Sequence, residues 1–127
     1  MDILLDTHIF LWWDAASPSL SRAAKSLIGA PEHSIFVSAA SIWEIAIKRR
    51  LSKLTFSGSP IHGIRANGFV ELATPGLDAE VAGDLDWGHN DPFDRMILAQ
   101  ALRRNLTLIT ADIVMQGFIG VAMVAGA

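Results

Sequence analysis

The chain has 127 residues, half of them apolar (51%), a formal net charge of -3 and no cysteine. That size suits one domain with a sound core, and the expected organisation is a single domain over residues 1–127. The composition excludes disulfides and thiolate metal sites, fits a cytoplasmic protein, and argues against simple electrostatic adhesion to nucleic acid. Neither a membrane-length apolar run nor a basic-then-apolar leader is seen, so no membrane association is expected.

Ile3-Leu4-Leu5 is a short apolar run ending at Asp6-Thr7, which predicts a buried central strand. His8 to Asp14 predicts a helical turn or two, broken by Ser17-Pro18-Ser19. Ser19 or Ser21 is placed to cap a helix running to about Ile28, with Gly29 as its stop. Ser34 to Ser38 predicts a second strand, followed by a helix from Ala39 or Ala40 to Leu51 with a basic tail, Lys48-Arg49-Arg50 and Lys53. After a loop at Ser57 to Pro60 come a short helix over Ile61 to Ala66 and a strand over Phe69 to Ala73, toward the sheet edge. A turn and a helix from Asp78 to Leu85 follow.

The most informative stretch is His89 to Asp112. Asp91-Pro92 is a helix-start signal: an acceptor side chain at the cap, then a preset φ at the first helical position. Phe93 to Leu102 is apolar on nearly every face, as in a helix packed inside a domain, and Arg103-Arg104-Asn105 suits its C-terminus. Leu106 to Thr110 predicts a buried strand, Ile113 to Phe118 a helical turn, and Val121 to Val124 a last edge strand. Strands alternating with helices predict an α/β fold, a mostly parallel sheet of about four to five strands flanked by helices.

In such a sheet the carboxyl ends of strands and the starts of the following helices share one edge. Asp6 ends the first strand, Glu44 lies one turn into the helix after the second, Asp94 in the first turn after Asp91, and Asp112 after the late strand. The four can converge on one acidic pocket. Packed carboxylates raise one another's pKa, and a divalent cation relieves the repulsion. Oxygen ligands without Cys or a His cluster favour Mg²⁺ or Mn²⁺. One ion activates the attacking water; two, ~3.5–4 Å apart, also stabilise the leaving oxygen of an in-line displacement at phosphorus.

Each residue also has a purely structural reading. Asp6 and Asp112 suit turn and cap positions. Ser41 to Glu44 fits a capping box, a reading that stands level with the ligand one. Asp91 is a cap rather than a ligand, with support of a metal ligand from behind as its functional alternative, and Asp94 also fits a capping acid. Thr7, Ser38 and Thr110 sit at strand ends, placed to orient a carboxylate, contact a substrate phosphate or serve turn chemistry. Arg95 is a candidate for a substrate phosphate or for an ion pair with a nearby acid. The basic tail is a candidate phosphate-backbone patch or a solvated helix end. His8, His33, His62 and His89 show no metal-ligand spacing and read as structural or surface residues.

Leu4-Leu5-Asp6-Thr7-His8, Val37 to Ile45, His89 to Ala101 and Leu108 to Asp112 occur in that order. Together they resemble the PIN-domain nucleases, and among them the VapC-type toxins of VapBC toxin–antitoxin pairs; the Asp-Pro-Phe-Asp-Arg run is the specific element. The resemblance covers the chain from Asp2 to about Phe118. It implies a parallel α/β fold and Mg²⁺- or Mn²⁺-dependent cleavage of RNA, with Asp6, Glu44, Asp94 and Asp112 as the acidic set. It further implies a homodimer and inhibition by a cognate antitoxin that covers apolar helix surface, for which Phe10, Trp12, Trp13 and Trp43 are candidates beside plain core packing. The segment Leu54 to Phe69 is short for such proteins, and Val121 to Ala127 is unusually small and apolar. Two other functions compete. A haloacid-dehalogenase-type phosphatase needs a second acid two residues after the strand-end aspartate, where this chain has His8. A catalytically silent PIN-like binding module is expected to lack a carboxylate, and none of the four is missing.

Overall fold

A computed structural model describes residues 1–127. Five strands form one sheet: β1 (Asp2–Leu5), β2 (Ser34–Ser38), β3 (Val70–Leu72), β4 (Thr107–Thr110) and β5 (Met123–Ala125). Their order is β3-β2-β1-β4-β5, and every neighbouring pair is parallel. The two weakest strand signals, β3 and β5, lie at the edges as expected. Leu5 pairs with Val37 on one side and Ile109 on the other, so Asp6, Ser38 and Thr110 come out along one edge.

Seven helices connect the strands: α1 (Thr7–Asp14), α2 (Arg22–Gly29), α3 (Ala39–Arg50), α4 (Pro60–Ala66), α5 (Gly76–Asp84), α6 (Pro92–Arg104) and α7 (Ile113–Gln116). None is long and apolar enough to cross a membrane. Alternation along the central strands sends side chains to two cores. Ile3, Leu5, Ile35, Val37 and Ile109 pack with Ile9, Phe10, Ala24, Ile28, Ile45 and Ile64 from the helices on one face. Leu4 and Leu108 pack with Ile97, Leu98, Ala101 and Met115 on the other. Each large side chain fully buried this way contributes about 1.5–3 kcal/mol.

Caps set the helix starts. Ser21, not Ser19, caps α2, accepting from Ala24 N. Ser38 caps α3, accepting from Ala40 N at 3.0 Å, which removes Ser41 as the start of a capping box. Asp91 caps α6 by accepting from the backbone N–H groups of Phe93 (2.9 Å) and Asp94 (3.0 Å), and Asn105 closes that helix in the left-handed conformation (φ 52°).

The small C-terminal residues have a packing reason. Gly126 N donates to Thr110 O, Ser21 N donates to Gly126 O, and Ser21 Oγ donates to Ala125 O, tying the tail to β4 and α2. A Cβ on Gly126 would lie 2.1 Å from Ile9 Cδ1, so the tail crosses too close to α1 for a larger residue.

Away from the sheet edge, α5 is fixed to α6 by a buried carboxylate. Asp78, fully buried, accepts from Arg103, from Arg104 at 2.8 Å and from Gln100 Nε2 at 3.0 Å. Burial raises this carboxyl, but the hydrogen bonds from Arg104, Gln100 and Arg103 outweigh it and hold Asp78 below its ordinary value.

Candidate active site at the carboxyl edge of the sheet

Asp6 leaves β1 at the centre of the sheet and caps α1, accepting from Ile9 N at 2.9 Å. Its other oxygen accepts from the Thr110 hydroxyl, across from the end of β4. The side chain is buried and no Lys or Arg pairs with it. Burial pushes its pKa from 3.8 up to about 6, against the hydrogen bonds from Thr110 and Ile9; the nearby charge of Asp94 adds to the rise.

Glu44 is also buried, but compensated. Thr7 Oγ1 donates to its Oε1 at 2.6 Å and Lys48 Nζ to its Oε2 at 2.5 Å. Glu44 therefore reaches across to α1 instead of back to the start of its own helix, and the capping-box reading is wrong. Lys48 is held above its ordinary value, first by that hydrogen bond. A 260 Å³ cavity opens beside the pair, lined by Thr7, His8, Leu11, Glu44, Lys48, Lys53 and Leu54.

Asp94 projects from the first turn of α6 and Asp112 caps α7, accepting from Val114 N at 2.8 Å. Asp94 is raised above its ordinary value by burial and by the charges of Asp91 and Asp112, against the hydrogen bond from His89. The tightest grouping of ligand atoms at this edge is His89, Asp94 and Asp112, all within 4.8 Å of one another. It includes two of the four expected acids, and in place of Asp6 and Glu44 it includes a histidine.

Spacing alone reads His89 as a structural or surface residue, and the structure places its side chain beside these acids. Its Nε2 lies 2.7 Å from Asp94 Oδ2, and its ring packs against Trp87 with centroids 4.8 Å apart. A local signal exists in the sequence. With Asp91 as cap and Asp94 at the third helical position, a residue two before the cap lies over that first turn.

The side chains expected to meet substrate are engaged internally. Thr7 is committed to Glu44, with Ser41 Oγ 2.9 Å away. Ser38 is spent on the α3 cap, and Thr110 links Asp6 to the backbone N–H of Asp112. Arg95, half-buried, pairs with no acid. Its five N–H groups donate to the carbonyls of Ala82, Gly83, Leu85, Trp87 and His89 at 2.7–3.2 Å, so it clamps the loop carrying His89 onto α6. In this arrangement Arg95 holds backbone carbonyls, Thr7 and Thr110 orient the carboxylates of Glu44 and Asp6, one of the roles expected of them, and Ser38 starts α3.

Of the basic tail, Lys48 pairs with Glu44 and Arg49 donates to the carbonyls of Phe56 and Gly58, which leaves Lys53 lining the cavity and Arg50 exposed. Of the four aromatic surface candidates, Phe10 is fully buried. Trp12 and Trp13 line a 290 Å³ cleft, and Trp43 is 63% exposed, stacked edge-on against Phe93.

The donor set fits a hard divalent cation. Asp6 is a buried and Asp94 a half-buried carboxylate, both held toward the protonated form and lacking a Lys or Arg partner, and Asp112 is acidic and half-buried beside Asp94. That is the deficit a bound cation removes.

An all-parallel sheet with acids on its carboxyl edge defines the class. The PIN domain model matches residues 3–116, and this chain belongs to the PIN domain family. It is 30% identical over 119 residues to Ribonuclease VapC22 of Mycobacterium tuberculosis (strain ATCC 25618 / H37Rv), covering 87% of this chain and 86% of that protein. Solved structures share the fold. VapBC2 from Rickettsia felis bound to a promoter DNA fragment superposes with TM-score 0.66 at 15% identity, covering 98% of each chain. A toxin–antitoxin complex from Klebsiella pneumoniae gives 0.65 at 21%, covering 97% of this chain and 96% of that one.

Proposed function

We propose that this chain is a divalent-metal-dependent endoribonuclease and the toxin of a type II toxin–antitoxin pair, working as a single-domain protein in the cytoplasm. The observation that carries the reading is the uncompensated acidic edge: Asp6, raised to about 6, and Asp94 beside Asp112, with no Lys or Arg paired to any of them. The kinship with a VapC ribonuclease supports RNA as the substrate.

Mg²⁺ or Mn²⁺, when bound, supplies Lewis-acid activation of water and neutralises charge at phosphorus. Asp6, Asp94 and Asp112 would hold the ion, with Glu44 completing the acidic set. Thr110 orients Asp6 toward α6 by taking one of its oxygens, and Asp112 is set by the same hydroxyl through its backbone N–H. Thr7 and Lys48 fix the Glu44 carboxylate. Lys53 and Lys48, lining the adjacent cavity, place positive charge where an RNA backbone phosphate approaches. No side-chain nucleophile is required.

The neighbouring toxin–antitoxin structures support a cognate antitoxin as partner, and we infer a homodimer. Of the aromatic candidates, the Trp12–Trp13 cleft and the exposed Trp43 are open to these contacts; Phe10, inside the core, is not.

The test is incubation of the purified protein with cellular RNA, with and without Mg²⁺ or Mn²⁺, followed by mapping of cut ends. Discrete internal cuts that EDTA stops support the proposal. Cleavage that survives EDTA rejects the metal mechanism, and intact RNA with both metals leaves a silent binding module as the better account.

A further inference from the structure

The geometry points to His89 as a nitrogen ligand in the metal site, making this centre a mixed nitrogen–oxygen site that favours Mn²⁺ over Mg²⁺. The inference rests on the metal site proposed above and deepens it. His89, Asp94 and Asp112 each offer one ligand atom, and the three atoms lie within 4.8 Å of one another. An ion with bonds of about 2.1 Å sets adjacent ligands about 3 Å apart and opposite ones about 4.2 Å apart. His89 Nε2 lies 2.7 Å from Asp94 Oδ2, a hydrogen bond in the absence of an ion, and loss of the shared proton would free both atoms to ligate.

The ring is held for this position on two sides. Trp87 packs against it at a tilt of 55°, and Arg95 accounts for the backbone, donating to the carbonyls of Trp87 and His89 at 2.7 and 2.9 Å. A histidine serving only as a surface residue does not need a fully saturated arginine beneath its loop. The side chains of His89 and Asp94 keep 26% and 18% of their surface, so the cluster stays open to water and phosphate oxygens. Mg²⁺ prefers an all-oxygen shell, whereas imidazole suits transition metals, so a nitrogen donor shifts the preference toward Mn²⁺.

The experiment loads the purified full chain with Mn²⁺ alone and records electron spin-echo envelope modulation, with and without ¹⁵N-histidine labelling. Nitrogen modulation that changes with the label is expected, and His89→Gln should abolish it while weakening Mn²⁺ binding about 10- to 100-fold and Mg²⁺ binding less. His8→Gln is the second variant, because His8 is the other histidine near the acids. Modulation should persist there, and this arm decides the assignment even if His89→Gln does not fold. Bound Mn²⁺ without nitrogen modulation overturns His89 as ligand while leaving the metal site standing, and so does modulation that disappears with His8→Gln. Failure of Mn²⁺ to bind at all overturns both readings together.

Discussion

Asp78 and Asp6 are the same residue type, both buried, and their chemistry runs in opposite directions. Asp78 is enclosed by Arg103, Arg104 and Gln100 and is held below its ordinary value. Asp6 receives one hydroxyl and one backbone N–H, no cation, and is pushed up to about 6. A carboxylate kept for architecture is neutralised by the fold itself. One kept uncompensated at an open edge is a place where the fold leaves charge for something else to balance. Glu44 lies between the two: its Lys48 partner is on a half-exposed helix end, within reach of the cavity.

Substitutions test that contrast. Asp94→Asn should lower metal-dependent RNA cleavage about 1,000-fold or more, the effect of losing roughly 4 kcal/mol of transition-state stabilisation, with the circular dichroism spectrum unchanged. Asp6→Asn should do the same. Full activity in either purified variant would remove that residue from the site.

Asp78→Asn should act on stability and not on chemistry. Leaving two part-buried arginines without their carboxylate should cost about 3 kcal/mol, or roughly 10 °C in Tm, read by thermal unfolding. A variant that melts normally but cannot cleave would erase the distinction between the two acids.

The two also differ in the sign of their pH dependence. Because folding raises the Asp6 pKa, its contribution to stability is complete below its unfolded value near 4 and is lost as pH rises through about 6. The metal-free protein should therefore lose about 2–3 kcal/mol between pH 4 and pH 7 from this group. Asp94, raised in the same direction, adds to the loss. Asp78, lowered, contributes stability that is lost only as pH falls through its depressed value, below this window. Unfolding curves in EDTA should show a slope that Asp6→Asn reduces and saturating Mn²⁺ at pH 7.5 offsets. Equal slopes in wild type and Asp6→Asn would contradict the uncompensated charge.

The smallest effect belongs to Asp91→Asn. Asn caps as well as Asp, so stability should stay within about 0.5 kcal/mol and cleavage within a few-fold. A loss matching that of Asp94→Asn would make Asp91 a ligand.

Much of this was legible in the chain itself, because it depends on local rules. Strand runs, the Asp91-Pro92 start of α6 and the left-handed Asn105 stop follow from short-range chemistry. Parallel strands then require their following acids to share an edge, whatever the details of packing. The sequence thereby determined the α/β class, the PIN resemblance and the placing of Asp6, Glu44, Asp94 and Asp112 at one end. Tertiary structure decided what those rules do not reach. Whether Glu44 caps its own helix or crosses to Thr7 depends on how closely α3 lies to α1. Arg95 is held because five carbonyls from the end of α5 and the loop after it converge on it, and that same loop brings His89 over Asp94. Asp78 meets its arginines across two helices, and Gly126 meets Ile9 across the whole length of the chain. Such contacts join residues whose separation in sequence carries no period, so only the folded path of the backbone selects them.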